Sequence, residues 1–201
     1  MTDNIFNKRW FHGSCDNFHE WQIPPPFNKQ NVIAHSGVYF TTNKEFAEAA
    51  GSHIAEVKID KNANILNTLT DLKKSEKLRK ELCKHQLFKS LLNSKPEIWE
   101  NGWKDGSILR PIVQENTFAE QQYMAYFAYY TKHYPENPKF AAGQHLTREL
   151  IELISVGANS MGFDGIYGHE IDRWNNNNKV IAQPWLCIFN KLIISPPKWL
   201  N

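Results

Sequence analysis

The 201-residue sequence predicts an α+β fold, with strands at both ends and helices between. Three observations carry this. Short aromatic and β-branched runs punctuated by turn residues fill the first third. From about 68 to 160, apolar residues recur at helical spacing, which reads as an α-helical insertion. Beyond 165 the chain returns to short apolar runs. At this length residues 1–201 form one domain, and 41% hydrophobic residues suffice for a sizeable core.

Each element has its own signal. Residues 8–13 read as a strand in which Trp10 and Phe11 lead into Gly13. Pro24, Pro25 and Pro26 place an extended surface loop after it. Val38 to Thr41 is a second strand. Thr42-Asn43-Lys44-Glu45 has the spacing of a capping box and starts a helix with Phe46 and Ala47 on its apolar face, ended by Gly51. Residues 53–60 form a third strand. Leu72, Leu78, Leu82, Leu87, Leu91 and Leu92 mark helix over about 71–92. Thr117-Phe118-Ala119-Glu120 is another capping box, opening an aromatic helix with Tyr123, Tyr126, Phe127 and Tyr130; Pro135 and Pro138 bound it. Thr147 begins a further helix. Gly165 to Tyr167 is a short strand, and Asn175 to Asn178 a polar loop. Pro184 to Phe189 is a strand buried on both faces. Leu192 to Ile194 forms the last strand before Pro196-Pro197 stops pairing.

Composition excludes several classes. A net charge of +2, with basic runs interrupted by Glu76 and Glu81, is too mild for a nucleic-acid binder. Three cysteines without short spacing argue against a disulfide framework and a zinc site. Cys187, in an apolar run, is expected as a buried thiol in a reducing compartment. No HExxH or paired Cys/His spacing is present, so no metal is expected. Neither a Sec-type leader nor a run of about 18 apolar residues is visible. The expected location is the cytoplasm, or a host cell reached without a Sec signal, with no membrane partner.

Two motifs suggest chemistry. His12-Gly13 ends a strand, where a flat ligand can approach the Gly13 backbone and the imidazole can donate to a ribose hydroxyl. Read alone, it is an ordinary strand end with a partly buried histidine. Tyr39, two residues after Gly37, can stack on a planar heterocycle while Phe40 turns into the core. The hydroxyls of Thr41 and Thr42 can face a ligand, although capping explains Thr42.

Trp10-Phe11-His12-Gly13-Ser14, then Ser36-Gly37-Val38-Tyr39-Phe40-Thr41, then Gly162-Phe163-Asp164-Gly165-Ile166 stand in an order that resembles the NAD-binding core of ADP-ribosyltransferases. The resemblance is to the His-Tyr-Glu class of bacterial or phage type, and covers residues 9–60 and 146–195. It implies a split β-sheet core, with NAD as substrate. ADP-ribose would pass to a macromolecular acceptor, a protein above all, with release of nicotinamide, as in a toxin or effector. It also implies that His12 anchors a ribose of NAD and that the Gly13 backbone holds the nicotinamide carboxamide. Tyr39 would stack on the ring, and Ser14 and Thr41 would line the cofactor.

The family's catalytic glutamate precedes its late strand. Here that stretch reads Gln183-Pro184-Trp185, with Trp185 or Gln183 at the aligned position. The candidate catalytic residues are therefore Gln183, Glu170 and Tyr39. Glu170 serves only if its loop folds back; otherwise it is a surface carboxylate beside Arg173. The family's second tyrosine falls near Ala50. The missing charge opens an alternative: an inactive relative that binds NAD or a protein partner. A third reading is a helical interaction protein using the aromatic helix.

Overall fold

Seven strands in two sheets and six α-helices make up the described part of the chain, which in this computed structural model is residues 4–27, 33–94, 97–110, 112–172 and 181–200. The first sheet has the order β1 (Trp10–Ser14), β3 (His53–Val57), β7 (Lys198–Leu200), all antiparallel. The second has the order β2 (Val38–Phe40), β6 (Ile181–Ile188), β5 (Gly165–Asp172), β4 (Ile65–Asn67). Only β4 runs parallel to its neighbour. Helix α1 (Lys44–Glu48) follows β2. Helices α2 (Leu72–Leu82), α3 (Gln86–Ser94), α4 (Ile98–Asp105), α5 (Phe118–His133) and α6 (Pro138–Ser160) all lie between β4 and β5.

The second sheet is the middle layer, and strand alternation explains how. Val38, Phe40, Tyr167, Leu186 and Ile188 turn toward Trp10, Ala55 and Val57 of the first sheet. Their alternates Ile166, Trp185 and Cys187 turn toward Leu78, Leu82, Trp103, Leu150 and Ile154 of the helical layer. Burial on both faces is why residues 185–188 carry no polar side chain. A small third cluster, Phe11, Ala47 and Ile54, seats α1 on the outer face of β1 and β3. The α+β class and the helical insertion agree with the sequence reading.

Several boundaries differ. Helix α1 is capped by Asn43, whose carboxamide accepts from the Phe46 N–H, not by Thr42; it ends before Gly51. The expected helix over 71–92 is two, which break at 83–85 while Leu78, Leu82, Leu87 and Phe88 all reach the same core cluster. Helix α6 starts at Pro138, nine residues before Thr147. Proline in a first turn forfeits no hydrogen bond, so Pro138 opens this helix as well as bounding the previous one. The Thr117 cap is as expected, with Glu120 N–H donating to the threonine hydroxyl. The short helix α4 and strand β4 went unpredicted: Asn101 and Gly102 weaken the first, and the second has three residues.

Strand β5 runs five residues beyond Tyr167, to Asp172. Strand β6 starts at Ile181 and contains Pro184. The proline is tolerated because β2 pairs with β6 only as far as Leu186, so β6 is an edge on that side at residue 184. Residues 191–193 form a 3-10 turn, not a strand. Nor do Pro196 and Pro197 end pairing, since β7 follows them against β3. The expected loop at Asn175–Asn178 lies outside the described residues.

Candidate functional site

Strands β1 and β2 belong to different sheets and meet at one pair. Phe11 N–H donates to Thr41 O over 2.7 Å, and Thr41 N–H returns a bond of 3.0 Å. The bridge is isolated, and beyond it His12 Nδ1 lies 2.9 Å from the Tyr39 carbonyl oxygen. Backbone groups alternate sides along a strand, so the N–H and C=O of Gly13 face the seam as those of Phe11 do.

A carbonyl can only accept, so Nδ1 carries the imidazole proton. Burial among Phe18, Trp21 and Phe40 pushes the His12 pKa down, which keeps the ring neutral. Its Nε2 is therefore an acceptor. The sequence-based expectation that the imidazole donates to a ribose hydroxyl is reversed: a hydroxyl would donate to it. The cover over His12 is tied to the far end of the chain. Trp21 Nε1 donates to Ser195 O (3.0 Å), Trp199 Nε1 donates to Phe18 O (2.9 Å), and Glu20 pairs with Lys191.

Gly13 has a second constraint. A Cβ there would lie 1.9 Å from the Ala47 carbonyl oxygen, and one at Gly51 would lie 2.3 Å from the Ser14 backbone. The space beside Gly13 on its side-chain side thus belongs to α1 rather than to a ligand. Its hydrogen-bonding edge is what the seam receives. Ser14 Oγ accepts from Asp16 N–H, and the buried Thr41 hydroxyl accepts from Asn43 N–H, so both already serve local turns. Ala50, at the position of the second tyrosine, is exposed.

The rings of Tyr39 and His12 do not converge. Tyr39 faces the helical layer, with its ring stacked on Trp185 at 5.8 Å and 25°. Its hydroxyl is 3.1 Å from His35 Nδ1, and burial raises its pKa well above the usual tyrosine value. Trp185, 3% exposed, fills the space over Tyr39.

The late-strand candidates share that helical face. Gln183 lies directly across β5–β6 from Glu170, and its Nε2 is 3.4 Å from Asp172 Oδ2. Glu170 forms an ion pair with Arg110, with side chains only 14% and 18% exposed. It is thus not a surface carboxylate; Arg173 lies outside the described residues. Asp172, 8% exposed, is a functional candidate that sequence reasoning missed. Its signal was i, i+2 spacing from Glu170, legible only once β5 extends past Tyr167. Arg110 had no sequence signal.

Acid should weaken the fold through three buried or half-buried histidines. Burial lowers the pKa of His12, His35 and His145 below the ordinary 6.5. Below that value the unfolded chain binds protons that the folded chain refuses, so their contribution to stability is complete above about pH 6.5 and lost as pH falls through it. We expect Tm to drop between pH 7 and 5, with a shallower slope in His12→Asn. An equal slope in that variant would show that His12 titrates normally.

These elements define a mixed α+β protein of two sheets and a helical layer. No described helix is long and apolar enough to cross a membrane. Among the described residues no group of three His, Cys, Asp or Glu side chains is placed to hold a metal ion. No family model and no curated protein matches the chain. A solved structure, described as the crystal structure of an anti-CRISPR protein, aligns over 96% of this chain and 98% of its own, with 12% identity and a TM-score of 0.41. A likeness of this size shows neither a shared family nor a shared activity.

Proposed function

We propose that this chain binds NAD at the β1–β2 seam and is an ADP-ribosyltransferase-like enzyme, passing ADP-ribose to a protein acceptor and releasing nicotinamide. The observation that supports the reading is the seam itself. The strands share one bridged pair; past it the Gly13 amide edge faces the seam, and His12 is hydrogen-bonded to the Tyr39 carbonyl. A carboxamide both donates and accepts, matching the C=O and N–H of Gly13. A ribose hydroxyl would donate to His12 Nε2. Tyr39 enters through its carbonyl, which sets the imidazole tautomer; stacking on nicotinamide would require Trp185 to move. Ser14 and Thr41 flank the seam.

The test is one-dimensional NMR of NAD with the purified protein over time. Nicotinamide signals should broaden with the wild type, and affinity should fall about tenfold in His12→Ala, the worth of one hydrogen bond of ~1.4 kcal/mol. Unbroadened signals with the wild type would remove the reading.

A second reading, an inactive relative that only binds, is favoured by a specific observation. Strand β6 carries no acidic residue, and its Trp185 is packed over Tyr39. Loss of a fixed negative charge beside the developing cation costs about 3 kcal/mol or more, hence two or more orders of magnitude in rate. In the same time course, broadening without free nicotinamide would select this reading.

A further inference from the structure

Helix α5 is apolar on the side it buries and also on the side it does not. Ala119, Tyr123, Tyr126 and Tyr130 turn inward, the first three against the core of the helical layer. The outward face carries Gln121, Met124, Ala125, Ala128, Tyr129 and Lys132, all exposed and spaced as one helical stripe. Met124 and Tyr129 are each about half exposed. Of the nine exposed large hydrophobic side chains among the described residues, four lie between 124 and 140, so this apolar surface is gathered rather than scattered. A helix that is apolar all round is normally covered on both sides, and gathered apolar surface marks an interaction site.

The order of residues along this face says what covers it. Read outward from the midpoint between Tyr126 and Phe127, Ala125 balances Ala128, Met124 balances Tyr129, and Gln121 balances Lys132. A two-fold interface pairs each residue with its counterpart on the other copy, and the counterpart with it. Two α5 helices laid antiparallel across that midpoint therefore meet in register. The alanines come together at the centre, where the axes can approach to about 8 Å. Each Met124 thioether meets the Tyr129 ring of the other copy, a favourable sulfur–aromatic contact. That ring already rests against His133, with centroids 4.5 Å apart, so little freedom is lost on pairing. Charge agrees with the orientation. Helix α5 has Glu120 in its first turn and Lys132 and His133 in its last. Antiparallel copies bring each acidic end to the other's basic end, whereas parallel copies would set like ends together.

We propose that this chain pairs with a second copy of itself through the outward face of α5, antiparallel about the midpoint between Tyr126 and Phe127. The pairing is independent of the NAD reading above. At 1.5 Å per residue the helix is about 24 Å long, so one face of it covers less than the ~800 Å² per partner of a standard interface. The dimer is therefore weak, with a Kd of roughly 10–500 µM.

The experiment is sedimentation equilibrium of the full-length chain from about 5 µM to about 1 mM, a range that brackets the expected Kd. A monomer–dimer equilibrium is expected. Ala125→Glu puts a charge at the centre of the face and should weaken the dimer by about tenfold or more. Gln121→Glu, opposite Lys132, should tighten it, and Gln121→Lys should loosen it, each by about two- to fivefold. Both positions are exposed on a helix, so the variants should keep the circular dichroism of the wild type. Orientation is read by oxidative cross-linking in a Cys15→Ser background, which removes the exposed native thiol. Ala125→Cys mixed with Ala128→Cys should form covalent dimer faster than either variant alone, because 125 of one copy faces 128 of the other. A chain that stays monomeric to about 1 mM would overturn the proposal and leave the face to a different protein. A dimer indifferent to Ala125→Glu would overturn it by placing the contact elsewhere. Faster cross-linking of either cysteine variant with itself would overturn the antiparallel pairing on which it rests.

Discussion

Gly13→Ala is expected to destabilise the fold by about 3 kcal/mol or more, and to lower Tm by ~6–12 °C at the scaling of ~2–4 °C per kcal/mol for a domain of this size. The new methyl carbon would sit 1.9 Å from the Ala47 carbonyl oxygen and 3.0 Å from the Gly51 nitrogen. Both are backbone atoms, and neither can swing aside as a flexible side chain would. Relief requires α1 to lift from β1, which uncovers Phe11, Ala47 and Ile54. Differential scanning calorimetry checks this directly. A Tm within 2 °C of wild type would mean that α1 does not lie over Gly13. Loss of NAD binding in this variant would therefore report a displaced helix as readily as a lost carboxamide contact, which is why His12 is the cleaner probe of the seam.

Trp103→Ala is expected to cost about 3–5 kcal/mol, the range for removing a large buried aromatic. Trp103 is 1% exposed and lies against Trp99 (5.6 Å) and Trp185 (6.2 Å). The ring rests on β5 where Gly168 has no side chain: a Cβ there would be 2.3 Å from Trp103 Cε3. Trp103 therefore anchors α4 to the sheet two residues from Glu170, and with it the turn that carries Arg110. Its Nε1 is buried and has no hydrogen-bond partner among the described residues. Trp103→Phe keeps most of the ring and relinquishes no bond, so it should cost clearly less than the alanine variant. Urea unfolding of the two variants gives the comparison. Equal losses would show that the indole nitrogen is bonded after all.

The sequence was most legible where chemistry is local. The cap of α5, the buried Cys187 thiol and the core position of Phe40 rest on neighbours a few residues away or on simple alternation. His12 and Tyr39 stood out as motif residues, but the bond from the imidazole to the Tyr39 carbonyl did not, because a carbonyl 27 residues away has no sequence signal. Where the Tyr39 ring would lie was equally hidden: alternation assigns it the face opposite Phe40, yet nothing local says that Trp185 already occupies it. Arg110 is the extreme case. It reaches Glu170, 60 residues on, through a glycine turn in a segment with no helical periodicity. Asp172 and β7 were missed because polar residues and prolines there read as strand ends, whereas pairing with β6 and β3 overrides that local preference.

The ties over His12 have a consequence for how the chain acquires its shape. Ser195 accepts from a residue 174 positions earlier, and Trp199 donates to one 181 positions earlier. During synthesis, then, β1 and the loop that shields His12 emerge first yet cannot be secured until residues 195–199 have left the ribosome. Contacts of such separation are slow to close and are made last. A nascent chain would thus hold a finished helical layer before it owned a finished seam, so the site would mature only when translation has passed Trp199.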